Sequence, residues 1–230
     1  MWSVTIRSVI PPPRRQRLTR LYLGLALYGV SDAMLLLAGL GVTPWDVLHQ
    51  GLSRQLGLGV GTWSIIVGAA MLTLWVPLRQ HPGLGTISNV VAIGGVIDLV
   101  LALVPAPHGL LVRAVVLLAG VLLNGVATGA YIGAGLGPGP RDGLMTGIAA
   151  RGHSIRVVRT GIEVTVVLVG WLLGGTVGVG TVIYAVGIGP LAHFFIPRLA
   201  LSDRGASAAS RGDPPSRATG PGRSAQGSIA

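Results

Sequence analysis

The sequence predicts an all-α membrane protein. It is read as six transmembrane helices in two three-helix inverted repeats, each repeat carrying a short interfacial or re-entrant helix. Three observations predict this class. Half of the 230 residues are hydrophobic and only 10% are charged, with a mean hydropathy of +0.70. A water-soluble domain carries about 25% charged residues. Several apolar stretches are long enough to span hydrocarbon, which takes about 20 residues as a helix. The second half of the chain also repeats the first.

The same composition excludes other classes. Net charge is +10, from 17 basic residues, all Arg, and 7 acidic ones. A nucleic-acid binder would set such charge on a polar body, and this body is apolar. Cys is absent, so there is no disulfide framework, thiolate metal site or Cys nucleophile. His49, His81, His108, His153 and His193 are scattered without ligand spacing. Glycine strings such as Gly57–Gly61 and Gly133–Gly139 have no Walker lysine and no strand before them. No cofactor, no metal and no enzymatic constellation is expected.

Residues 1–20 are polar, with Pro11 to Pro13 followed by Arg14, Arg15, Arg17 and Arg20. The apolar run after them is too long for a secretory signal, so they are read as a cytoplasmic basic tail. The membrane domain is 21–198. Its crossings are expected near 21–41, 61–79 and 84–104 in the first repeat (about 21–104), and near 110–134, 155–174 and 178–198 in the second (about 110–198). Helices are required because lipid cannot satisfy open backbone groups. A β-barrel would alternate polar and apolar residues in segments of about 10. Residues 199–230, rich in Ser, Gly, Pro, Ala and Arg, are expected to be a disordered cytoplasmic tail.

Arg placement orients the helices. With the N-terminus inside and six crossings, every Arg except Arg54 and Arg113 falls on the cytoplasmic side. Both termini are therefore placed in the cytoplasm. The charge favours anionic lipid at that surface.

A shift of 96 positions sets Gly24 on Gly120, Gly29 on Gly125 and Ala38-Gly39-Leu40-Gly41 on Ala134-Gly135-Leu136-Gly137. It also aligns Pro44 with Pro140, Asp46 with Asp142 and Gly51 with Gly147. Further on, Gly83-Leu84-Gly85-Thr86 meets Gly178-Val179-Gly180-Thr181 at an offset of 95. Three crossings per repeat make the second enter from the opposite side, an arrangement that recurs in transporters.

The shared motif runs from Gly41 to Gly51 as GVTPWDVLHQG and from Gly137 to Gly147 as GPGPRDGLMTG. Gly and Pro end one crossing. Pro44 and Pro140 suit the first turn of a new helix, and Asp46 and Asp142 then face its free N–H groups. Two roles are open for these acids: holding a helix start, or serving as gates or ion ligands beside a polar cavity. A catalytic role is a third, minor reading.

Other polar residues stand within apolar segments, where ionisable groups are costly. Asp32 is in the first crossing, Asp98 in the third, Asn124 in the fourth and Glu163 in the fifth. Arg159 precedes Glu163 by four residues and Arg156 precedes Arg159 by three, forming one helical stripe. The expected polar pathway is thus Asp46, Asp142, Arg156, Arg159, Glu163, Asn124, Asp32 and Asp98. His193 is expected to be a packing residue. Gly170, Gly174 and Gly178 are expected to let helices approach, and Trp45, Trp63, Trp75 and Trp171 to mark membrane interfaces.

The stretches GLGVTPWDVLHQGL, GPGPRDGLMTG, IRVVRTGIE and GWLLGGTVGVGT resemble the YczE/YitT-type family of bacterial integral membrane proteins. The resemblance covers residues 20–198. It implies a multi-pass protein of the bacterial plasma membrane, permease-like, with no assigned substrate. The expected partners are the lipid bilayer and a small solute or ion, not nucleic acid. The alternative is a non-transporting membrane regulator or assembly partner.

Overall fold

The computed structural model describes residues 12–201, which are helical with no strand among them. The helices are α1 (Arg14–Ala38), α2 (Pro44–Leu56), α3 (Val60–Trp75), α4 (Leu84–Leu103), α5 (Leu110–Gly133), α6 (Pro140–Ala149), α7 (Ile155–Leu172) and α8 (Val179–Leu199). Each stretch expected to cross is a helix, and α2 and α6 are the short helices that the Pro-x-Asp motif begins. One boundary moves. Residues 14–20, read as tail, form the first turns of α1, and Arg17 among them is buried. The remaining tail residues, 1–11 and 202–230, lie outside the described residues.

Length and composition single out α1, α4, α5 and α8 as membrane spans, plus a fifth if α2 and α3, bent by 112°, count as one broken span. Helix α3 has only 16 residues, and α7 carries Arg156, Arg159 and Glu163 within its 18. Polarity is distributed as a bilayer demands. Leu111, Leu172 and Val186 are exposed, while Asp32, Asp46, His49 and Asn124 are buried. Apolar side chains face outward because lipid is the solvent, and polar groups retreat inward.

The motif glycines have a backbone reason. Gly39 and Gly41 have φ of 60° and 115°, and Gly135 and Gly137 have φ of 67° and 124°. A Cβ is strained there. This left-handed pair ends α1 and α5 and turns the chain into the next short helix.

Residues related by the sequence offset meet across the halves in matched pairs. Arg17 donates through Nη1 to the Ala134 carbonyl at 2.9 Å, and Arg113 donates through Nε to the Ala38 carbonyl at 2.6 Å. The start of each helix therefore lies beside the end of the other, so α1 and α5 run antiparallel. Gly85 N–H donates to the Leu136 carbonyl and Gly180 N–H to the Leu40 carbonyl, both at 2.8 Å. Gly29 abuts Val96, and Gly125 abuts Leu191.

One seam breaks the match. Helices α3 and α4 are closely packed, with Gly61 against the Gly94 carbonyl and Gly68 against Val90. Asp98 of α4 seals the start of α3, accepting from Gly61 N–H, Thr62 N–H and Thr62 Oγ1, each at 2.7 Å. At the offset of 95, Gly61 becomes Arg156, Gly68 becomes Glu163 and Asp98 becomes His193. Bulky charged groups replace the contact glycines, and an imidazole replaces the carboxylate. A cavity stands between α7 and α8. His193, expected to pack, is exposed on α8.

Two other expectations change. Trp45 and Trp75 are buried, and Trp75 donates through Nε1 to the Pro140 carbonyl at 3.1 Å. They are core residues; of the four tryptophans, Trp171 is the one with a largely exposed side chain. Helix α7 ends at Leu172, so Gly170 packs on α2 while Gly174 and Gly178 belong to the connection into α8. They form no helical stripe.

Candidate functional site

The site is built where the starts of α2 and α6 enter the interior. Thr43 caps α2: its Oγ1 accepts from Asp46 N–H at 3.2 Å and donates to Asp46 Oδ2 at 2.8 Å. His49, one turn on, donates through Nδ1 to Asp46 Oδ1 at 3.1 Å. All three are at most 1% exposed. Asp46 is thus held on both carboxylate oxygens.

Asp142 has the same motif position and different neighbours. Thr43 becomes Gly139 and His49 becomes Met145, so neither a capping hydroxyl nor an imidazole is present. Asp142 accepts one long hydrogen bond, from Tyr131 OH at 3.4 Å, and lines both cavities described below.

The residues between Pro and Asp in the two motifs, Trp45 and Arg141, are repeat counterparts that touch. The Arg141 guanidinium carbon sits 5.2 Å from the centroid of the Trp45 ring, a cation–π arrangement. Arg141 is within electrostatic reach of Asp32, Asp46 and Asp142, and Arg159 acts more strongly than Arg141 on Asp142. Asp32, fully buried on α1, accepts from Asn124 Nδ2 at 2.9 Å. Asn124 also donates to Ser31 Oγ at 2.8 Å and accepts from Tyr184 OH at 3.1 Å. This chain ties α1, α5 and α8 together.

Two cavities adjoin this cluster. The larger, about 390 Å³, lies between α7 and α8 and is lined by Thr43, Trp45, Arg141, Asp142, Arg159, Glu163 and Tyr184, with an apolar flank of Ile188, Ala192 and Ile196. The smaller, about 70 Å³, is lined by His49, Ser64, Met71, Asn89 and Pro140 among others. Tyr28, Tyr131, Arg141 and Asp142 line both and form their shared wall.

Of the expected polar pathway, Asp142, Arg159 and Glu163 reach the larger cavity. Arg159 donates through Nε to Glu163 Oε1 at 3.0 Å. Asp46, Asp32 and Asn124 stand one layer behind its wall, already hydrogen-bonded. Asp98 is not part of the cluster; it seals α3 instead. Arg156 is exposed and lines neither cavity. Sequence reasoning missed Arg141, His49, Tyr28, Tyr131 and Tyr184. Arg141 carried a signal: it stands between Pro140 and Asp142 in a buried motif. Tyrosine hydroxyls in apolar helices carried none.

The comparisons with known proteins agree with a membrane body. A model of a family of unknown function, DUF6198, matches residues 15–197. An uncharacterised protein of Haemophilus influenzae is 42% identical over 177 residues, 76% of this chain and 81% of that protein. The uncharacterised membrane protein YczE of Bacillus subtilis is 38% identical over 161 residues, 69% of this chain and 75% of YczE. YyaS, an uncharacterised protein of the same organism, is 28% identical over 182 residues, 76% and 90% of the two chains. No solved structure matches. With its apolar helices and these relatives, the chain is a membrane protein and belongs to the DUF6198 family, of YczE type.

Proposed function

We propose that the protein is a permease for a small solute, with six crossings in two inverted repeats and both termini cytoplasmic. One observation carries the reading: a cavity of about 390 Å³ where the halves meet, lined by Arg141, Asp142, Arg159 and Glu163. That volume is in the range of small-molecule sites, roughly 300–1,000 Å³. Ionisable groups retained inside an apolar body mark solute and ion paths. The reciprocal Arg17 and Arg113 contacts support an inverted repeat, because each half supplies the other with the same group.

The unmatched seam supports a direction. In the proposed orientation the α7–α8 cavity opens toward the cytoplasm, between the start of α7 and the end of α8. Its external counterpart is the α3–α4 seam, closed by Asp98. Inward-open and outward-sealed is one state of an alternating-access cycle.

The pairing of Asp46 and Asn124 favours a second reading, a non-transporting membrane regulator, since these two groups are satisfied internally. A metabolite uptake and efflux screen in proteoliposomes separates the two. The permease reading expects flux that Asp142→Asn lowers at least tenfold. No flux for any solute supports the regulator, and equal flux in the variant removes Asp142 from the pathway.

A further inference from the structure

We propose that the His49–Asp46 pair is a proton-binding site, and that Nε2 of His49 is the atom that takes and returns the proton. The site stands on its own geometry. It rests on the permease reading only in that it makes the proton the coupling ion.

His49 is 1% exposed and lines the smaller cavity. Its Nδ1 is engaged with Asp46 Oδ1 at 3.1 Å, which fixes the ring and places the hydrogen on Nδ1, because a carboxylate only accepts. Nε2 then presents a lone pair, and it is the one ring nitrogen without a partner. A buried imidazole held by a carboxylate at Nδ1, unpartnered at Nε2 and set in the wall of a cavity, is arranged to exchange a proton once water reaches that nitrogen. The cavity is about 70 Å³, room for a few waters and for no larger solute.

Every element packed around the ring contributes to its charge balance. Asp46 faces it from α2, Tyr28 from α1, Tyr131 from α5, and Arg141 and Asp142 from α6. Asp32 faces Asp46 from α1, while α3 and α4 present the neutral Ser64 and Asn89. Burial of the ring opposes the imidazolium most, Asp46 favours it and Arg141 opposes it. A solute that draws Arg141 toward itself in the larger cavity therefore strengthens proton binding at His49, because Arg141 borders both cavities. The step is balanced: the Nε2 lone pair takes a proton from hydronium reaching the cavity, leaving water and an imidazolium beside the Asp46 carboxylate.

The test is nitrogen NMR of ring-labelled histidine on the full chain in lipid bilayers. His81, His108, His153 and His193, all exposed, are replaced by Gln so that His49 alone is read. The Nε2 resonance is expected to move from its bare to its protonated position as the bath is taken from about pH 9 to about pH 4, a range that brackets histidine titration. Asp46→Asn is expected to release the fixed tautomer and give signals from both neutral forms. A resonance that never moves overturns the proposal, and this measurement needs no variant at position 46. A folded Asp46→Asn chain with an unchanged spectrum overturns it as well. In proteoliposomes, an inward proton gradient is expected to speed solute flux several-fold, and His49→Gln to abolish that acceleration. A gradient response that survives His49→Gln overturns the coupling. A titrating His49 in a protein that moves no solute removes the permease reading and leaves the proton site standing.

Discussion

Asp46 and Asp142 hold the same place in one motif and meet different surroundings, so their substitutions should read differently. Asp46 is bound by Thr43 and His49 with no water access. Asp46→Ala leaves a buried hydroxyl and a ring N–H without a partner, at about 1–3 kcal/mol each, and the melting point in detergent should fall by many degrees. Asp142 accepts a single long hydrogen bond and faces a cavity. Asp142→Asn should melt within a few degrees of the parent while flux drops. Glu163 behaves like Asp142. Its pair with Arg159 is partly exposed, so the pair contributes about 0.5 kcal/mol at most. Glu163→Gln should therefore unfold like the parent and transport poorly; full activity would remove Glu163 from the pathway.

The helices were legible because their causes are local. Paired glycines forced into left-handed backbone end α1 and α5, a Pro opens α2 and α6, and uninterrupted apolar runs fill the rest. What was not legible is which face each helix turns inward, since every face of an all-apolar helix reads alike. Trp45 and Trp75 looked like interface anchors for that reason, and Arg17 looked like bulk tail charge until its partner carbonyl came from a residue far along the chain. The seams make an element-scale prediction. A Cβ at Gly68 would stand 3.6 Å from that of Val90, within the usual span of a disulfide, about 3.5–4.5 Å. In this Cys-free chain, the double variant Gly68→Cys/Val90→Cys should oxidise readily, and flux should stop until a reductant is added. The counterparts Glu163 and Ala185 face each other across the larger cavity, so Cys at those positions should cross-link far more slowly. Equal rates would contradict the difference between the two seams.

Across the whole molecule, the two arginines that break the charge asymmetry have a structural account. Arg113 serves the end of α1, and Arg54 donates to the Gly174 carbonyl and Thr176. They serve helix ends, as Arg17 does, and in the proposed orientation they are the two arginines on the outer side. A membrane-impermeant thiol reagent on whole cells should then label a Cys placed at Gly109 and spare one at Ala150; the opposite pattern would invert the proposed topology. The polar site was only half visible at this scale. Asp142, Arg159 and Glu163 announced themselves as charges in apolar sequence, whereas Arg141 was hidden within a count of cytoplasmic arginines.

The exchange of Arg17 and Arg113 has a consequence for how the chain is put together. Neither half closes its own first helix alone: the Ala38 and Gly39 carbonyls at the end of α1 are satisfied by Arg113 of the second half, and the Ala134 carbonyl at the end of α5 by Arg17 of the first. In the proposed inverted repeat, each half is thus an incomplete subunit whose missing piece is an upside-down copy of itself. Cutting the connection between α4 and α5 should yield two fragments that vanish when made singly and rescue each other when made together. A gene for one half alone could have made a working particle only by inserting in both orientations and pairing with itself.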